Sequence, residues 1–453
     1  MISNRAALLD HGNTERRRDL IAIAEQSLEA VQPDRLVPEV VSVTDNHLTV
    51  GEESYDLDTI ENLYVFGAGK GSLATVSAVL DVLGDRYTRA LAVEKRGQGE
   101  PVDGIEVHEA GHPVPDEHGR RAGDAVIELA ESAGEQDLVI ACITGGASAL
   151  LPAPATGIPF DDLVETTELL LEAGLPIDRI NAVRKHVSSI KGGQLAGMIH
   201  PAKTISLIVV DEVAGDPWGP TVPDETTFED AIEVLTVTDL WESVPDAVRD
   251  RLERGRADPT METPGPGDVS EYRTQAVILA DATDVCTAAS DAASELGYTA
   301  PILSTSMEGE SADIARAHAA IATEIEDYAR PFEPPVVLVS GGETTVEIGK
   351  SPGVGGPNQE FAVQFATDIA ACSDISCLAI GTDGTDGPTE IAGGLVDGTT
   401  ADRAESAGVD LREAVRRHDS STGLERVNDA VRTGGTGTNL MDLRLVAVGE
   451  SDV

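Results

Sequence analysis

The chain of 453 residues carries 80 Asp and Glu against 32 Lys and Arg, a formal net charge of -48 that excludes a nucleic-acid binder, because phosphates repel such a surface. Hydrophobic residues make up 41%, but only 2 Trp, 6 Tyr and 6 Phe are present, so the cores must be packed mainly with Ala, Val, Leu and Ile. The length exceeds what one core sustains and points to two domains.

The acidity is spread along the whole chain, as on a solvated surface, and lysine has nearly vanished: Lys70, Lys95, Lys185, Lys191, Lys203 and Lys350 are all there are. This pattern fits a halophilic protein working in molar salt, where screening shortens charge repulsion to roughly 3 Å. Four cysteines without a CxxC pair read as small core residues in a reducing compartment. The first twenty residues turn charged at once, and no run approaches a membrane span, so a cytoplasmic location and no membrane partner are expected.

In chain order, an opening helix near Glu15 to Val31 places Leu20, Ile21, Ala24, Leu28 and Val31 on one side. Apolar strands follow at Asn62 to Phe66, Ala90 to Glu94, Asp137 to Ile143, Thr204 to Val210, Ala276 to Ala280, Pro335 to Ser340, Cys377 to Ile380 and Arg444 to Val448. Helical patterns such as Asp161 to Ala173 and Ser311 to Ala329 lie between them. The alternation predicts an α/β fold built of βαβ units with a parallel sheet. The polar stretch Glu253 to Tyr272, with three Pro and three Gly, predicts a boundary between an N-terminal domain, 1–262, and a smaller C-terminal domain, 269–453.

Five glycine turns follow strands or open helices: VFGAGKG (Val65 to Gly71), CITGGAS (Cys142 to Ser148), VSGGET (Val339 to Thr344), PGVGGPNQE (Pro352 to Glu360) and IGTDGTDGP (Ile380 to Pro388). Glycines beyond strand carboxyl ends let backbone amides approach phosphate, which makes Gly67, Gly69, Gly71, Gly145, Gly146, Ser148, Gly341 and Gly342 candidates for nucleotide binding. Lys70 adds a movable charge at a strand-to-helix junction, yet the turn is neither a Walker A motif nor a GxGxxG fingerprint.

Arg184, Lys185, His186 and Lys191 gather within eight residues of an anionic chain and predict a site for a small anion. Arg184 and Lys191 would share one helical face if the helix runs that far. In GTDGTDGP, Asp383 and Asp386 could hold Mg²⁺, or one could take a proton from a substrate hydroxyl. Glu343, Asn358 and Glu212 are further polar candidates near glycine turns or strand ends. His108 and His112 have HxxxH spacing, but Gly111, Pro113 and Pro115 prevent the helix that zinc binding would need.

Taken in order, VFGAGKG, EAGHPVPD, TGGASALLPAPA, INAVRKHVSSIKGGQLA, GGPNQEFA and GTDGTDGPT resemble the class II glycerate kinases, whose C-terminal part is the MOFRL domain, here about 335–453. The resemblance implies ATP-dependent phosphorylation of D-glycerate, usually to 2-phosphoglycerate, in a cleft between two α/β domains, and phosphoryl transfer itself calls for Mg²⁺ as the second cofactor. It marks Lys70 and Asp383 as active-site residues; beside it, the reading of the residues themselves takes Lys191 as phosphate-binding, Arg184, Lys185 and Asn358 as substrate-binding, and Asp386, Glu343 and Glu212 as candidate metal ligands. A homodimer is compatible with it. Pro357 stands where the family carries arginine in GGRNQE, so another cation is expected to supply that charge, with Arg184, Lys185 and Lys350 the candidates. Two alternatives remain: an NAD-dependent hydroxypyruvate reductase, which would need the missing dinucleotide fingerprint, and a non-catalytic sugar-acid-binding protein.

Overall fold

Two strands that are apolar at every position form the centre of a six-stranded sheet: β1 (Leu63–Ala68) and, further along the chain, LVIACI at Leu138–Ile143, both buried throughout. In this computed structural model, residues 1–210, 217–347, 353–370 and 372–449 are described, the side chains of Val269 and Ser270 excepted. After β1 come β2 (Arg89–Lys95), β3 (Glu106–Ala110), β4 (Leu138–Ile143), β5 (Lys203–Val209) and β6 (Thr274–Ala280). Their spatial order is β3-β2-β1-β4-β5-β6, and the pairs β2–β3, β1–β2, β1–β4 and β4–β5 run parallel. This is the doubly wound order of dinucleotide-type α/β domains, with its direction of winding reversing between β1 and β4. In sheets of this kind the ligand crevice lies beyond the carboxyl edge at that point, and the glycine turns that follow β1 and β4 both leave that edge there.

The second sheet contains β7 (Ile302–Ser304), β8 (Val336–Gly342), β9 (Ile375–Gly381), β10 (Gly393–Asp397), β11 (Ala430–Val431) and β12 (Asp442–Val448), ordered β7-β8-β12-β9-β10-β11. Only β7–β8 is parallel; the other four pairings are antiparallel. The parallel pairing expected from the alternation therefore stops at β8, because the last strand, β12, inserts antiparallel between β8 and β9. Phe361 and Phe365, stacked 6.0 Å apart, sit in this sheet's core with Ala319, Ala322, Ile325 and Val446.

The chain divides into two compact units, and the division departs from the expected boundary at 262–269. One unit gathers Met1–Arg35 with the chain from Ala280 onward; the other holds Leu36–Val209 and the later stretch that ends at Leu279. The opening helix, Thr14–Ala30, buries the predicted Leu20, Ile21, Ala24 and Leu28, but it does so against helix Ala282–Glu295 and strands β9 and β12. Two buried arginines explain the attachment. Arg17 pairs with Asp397 at 2.5 Å and Asp429 at 2.8 Å, and Arg16 donates to the Ser373 carbonyl at 2.5 Å. Charge pairs of this kind lie outside what apolar periodicity reports.

Candidate functional site

In the unit that carries the parallel sheet, the turn after β1 is built by its own hydrogen bonds. Gly69 has φ +124°, and a Cβ there would lie 2.1 Å from the Thr144 carbonyl oxygen. Its amide donates to the Val93 carbonyl (3.2 Å), the Lys70 amide to the Gly145 carbonyl (2.8 Å), and the Gly71 and Leu73 amides to the Glu94 carboxylate (3.0 and 3.3 Å). The expected phosphate cradle of Gly69 and Gly71 is thus filled by protein acceptors. Gly67 serves helix packing, since a Cβ would stand 2.6 Å from Val76 Cγ2. What this turn offers a ligand is the side chain of Lys70. Burial pushes the Glu94 carboxyl up to about 7, against the opposing pull of the amides and of Lys70.

The turn after β4 has the opposite character. Among the described residues, the amides of Gly145 and Gly146 donate no hydrogen bond, and the buried hydroxyls of Thr144 and Ser148 have no partner. Gly146 has φ +84°, and a Cβ there would lie 3.0 Å from the His112 ring and 3.6 Å from Lys70 Cε, so these side chains and this turn converge. Lys191 reaches the same segment and donates to the carbonyls of Ser148 (2.8 Å) and Leu151 (3.2 Å).

Helix Ile177–His186 ends before Lys191, so the shared helical face expected for Arg184 and Lys191 does not exist. Instead Ser188 Oγ accepts from the amides of Ile190 (3.2 Å) and Lys191 (3.3 Å) and folds the chain back. The two cations still feel each other. Burial, with the Arg184 charge added to it, brings the Lys191 ammonium down to about 7, and burial brings Arg184 down to about 10. Among the described residues neither has a carboxylate partner. Lys185 does: it pairs with buried Asp224 at 2.8 Å, so its charge, expected to serve the substrate or to replace the missing arginine, is already balanced within the fold. Lys350 lies outside the described residues.

In the unit with the mixed sheet, the GTDGTDG loop leaves β9, and both its aspartates are buried. Asp383 Oδ1 accepts from the Thr385 amide (2.8 Å) and hydroxyl (3.0 Å). Asp386 closes the start of helix Pro357–Asp368: Oδ1 accepts from the Asn358 amide (3.0 Å) and side chain (3.2 Å), and Oδ2 from the Gln359 amide (2.8 Å) and side chain (3.0 Å). With both oxygens so occupied, and burial pushing its carboxyl up to about 7, Asp386 does not fit the metal-ligand role expected of it. Glu343 is exposed, Glu212 lies outside the described residues, and among the described residues no three metal-ligating side chains stand together. Asn358 is likewise engaged, bridging Asp386 to Asp442 (2.5 Å). Pro357 occupies the first helical position, where a missing N–H does no harm. Gly341 and Gly342 pack against Cys286 and Met307, at 2.8 and 2.2 Å from where their Cβ atoms would be.

Three groups escaped the sequence reading of the site. Glu94 is the next-to-last residue of β2; Asp442 and Arg444 lie on β12, joined at 2.5 Å, with Arg444 stacked 5.3 Å from the Phe361 ring centroid and its Nε and Nη1 buried without partners. The signal was present: charges two apart on an otherwise apolar strand share one face.

Residues 19–253 match the family described as "Domain of unknown function (DUF4147)", and 336–442 match the MOFRL family. The chain is 39% identical to the glycerate 2-kinase of Pyrococcus horikoshii, covering 94% of this chain and 96% of that protein. It is 35% identical to the D-glycerate 2-kinase of Thermotoga maritima (93% and 96%), and 37% identical to an Agrobacterium vitis protein provisionally named a hydroxypyruvate reductase (85% and 87%). A crystal structure of glycerate kinase from Thermotoga maritima superimposes with a TM-score of 0.79 at 33% identity, covering 95% of this chain and 99% of that one.

Proposed function

The chain belongs to the class II glycerate kinase family with its DUF4147 and MOFRL regions, and from that premise we propose that it transfers the γ-phosphoryl group of ATP to D-glycerate, giving 2-phosphoglycerate and ADP. One observation carries the reading. In a chain with 80 carboxylates, the partly buried Arg184 and Lys191 have none as a partner among the described residues, so the anion they are built for comes from outside.

Arg184 and Lys191 hold the glycerate carboxylate, and the open amides of Gly145 and Gly146 with the Ser148 hydroxyl take phosphate oxygens. Lys70 balances the charge that grows on the phosphoryl group in flight, the main service that phosphoryl transfer asks of a protein. The substrate hydroxyl oxygen forms the new bond to phosphorus, the bond to the ADP oxygen breaks, and the hydroxyl proton passes to Asp383. Mg²⁺ enters as the counter-ion carried on ATP; the described residues form no cage for it, and no step here depends on it.

Hydroxypyruvate reduction is disfavoured by Glu94, which occupies the helix-start amides where a dinucleotide pyrophosphate would bind. The deciding experiment is NMR of the product formed from D-glycerate, ATP and Mg²⁺ in molar KCl. A 2-phosphoglycerate signal with equimolar ADP is expected; binding of glycerate without ADP formation, or oxidation of NADH by hydroxypyruvate, overturns the proposal. A cytoplasmic site of action belongs to the same reading, supported by four free cysteines and by the absence, among the described residues, of any helix long and apolar enough to cross a membrane. A homodimer is part of it only as an arrangement to be measured.

A further inference from the structure

The Lys70 turn sits on a single buried carboxylate. Glu94, 2% exposed at the end of β2, accepts from the Gly71 amide with both oxygens (3.1 and 3.0 Å), from the Leu73 amide (3.3 Å) and from the Lys95 amide (3.1 Å). A helix start attracts an anion through its unpaired amides and its dipole. Here the attracted anion is internal, and it is tethered to β2, the strand next to the one that leads into the Lys70 turn.

We propose that Glu94 is a positioning residue for Lys70: by fastening the amides on the carboxyl side of the lysine, it fixes the backbone from which the ammonium is aimed. The amino side is held separately, by Gly69 to Val93 and Lys70 to Gly145. Glu94 is the one side chain among these acceptors, and so the one that substitution can remove without touching the backbone. The nearby Lys70 charge in turn pulls against burial and favours the ionised form of the Glu94 carboxyl.

This inference rests on the catalytic role given to Lys70, and a double-substitution cycle in the full chain at molar salt separates the two. Glu94→Ala should lower kcat about 10- to 100-fold, the scale on which misplacement of a catalytic group acts, with KM for glycerate changed less than about twofold. Glu94→Gln retains an amide-accepting oxygen and should recover most of that loss. In a Lys70→Ala background, Glu94→Ala should cause no further loss, since there is no lysine left to aim. Wild-type kcat in Glu94→Ala, or an equal loss in both backgrounds, overturns the proposal. Wild-type kcat in Lys70→Ala overturns instead the role of Lys70 itself. Should the alanine variant not fold, Glu94→Asp carries the test, because it keeps the charge but is one methylene too short to reach the amides, and the same loss and the same dependence on Lys70 are expected.

Discussion

Lys191 donates its ammonium to the carbonyl oxygen of Ser148 at 2.8 Å, which ties the basic segment after helix Ile177–His186 to the glycine turn after β4. Both burial and Arg184 oppose the charge on that ammonium and bring it to about 7. The group is therefore charged below about pH 7 and loses its proton as pH rises through that value, although a bound anion pulls the titration upward. KM for glycerate should rise with pH above this point, by up to about tenfold per unit, equivalent to about 1.4 kcal/mol. Lys191→Arg, permanently charged, should flatten the rise. Initial-rate measurements between about pH 6 and 9 decide it, and a pH-independent KM in the wild type removes Lys191 from glycerate binding.

Lys70 and Asp383 should fail in different ways. Lys70→Ala removes one preorganised charge donor and should lower kcat by roughly 10² to 10³ with little change in glycerate binding. Asp383→Asn should lower kcat by roughly 10² to 10⁴ and erase the acidic limb of the pH–rate profile, since an amide does not titrate. Recovery of Asp383→Asn by excess Mg²⁺ would reassign the residue from base to metal ligand.

Arg17 is fully buried between Asp397 and Asp429, whose oxygens also receive Thr399, Thr400, His11 and Arg403. Arg17→Met leaves two carboxylates facing each other without their shared cation, and it should destabilise its unit by about 3–5 kcal/mol. Urea unfolding would measure this as a lower midpoint at unchanged slope. An unchanged midpoint would mean that His11 and Arg403 suffice for Asp429, and the Thr399 hydroxyl and Asn13 amide for Asp397.

Low salt should unfold the protein, because a net charge of -48 repels itself over roughly 10 Å at about 0.1 M salt and only roughly 3 Å at 1 M. Circular dichroism during dialysis tests this directly; a native spectrum and full activity at low salt would show that the acidity is compensated within the fold.

The parts of this molecule that sequence reveals are those governed by local rules. Apolar runs marked β1, β4, β8 and β9 because strands covered on both faces exclude water along their length. Periodicity likewise located helices Thr14–Ala30 and Ser311–Tyr328. The glycine turns pointed to the crevice, but which turn keeps its amides open depends on Glu94, a residue over twenty positions from Gly71 and brought there only by parallel pairing of β1 with β2. Asp386 shows the same limit: an Asp-Gly step reads as an exposed metal-binding loop until helix Pro357–Asp368 presents two amides to it.

A strand late in the chain closes its sheet from the middle. β12 lies between β8 and β9, and the opening helix of the same unit holds buried arginines whose carboxylates come from near the other end of the chain. During synthesis the segment from Leu36 to Leu279 can assemble as it emerges, while Met1–Arg35 wait for the strands and carboxylates that follow Ala280. A ribosome that stops before Asp442, or a protease that trims past it, therefore produces no enzyme with a frayed edge. It produces a half-folded chain with two long apolar strands open to pairing, so the order of this whole unit hangs on one strand.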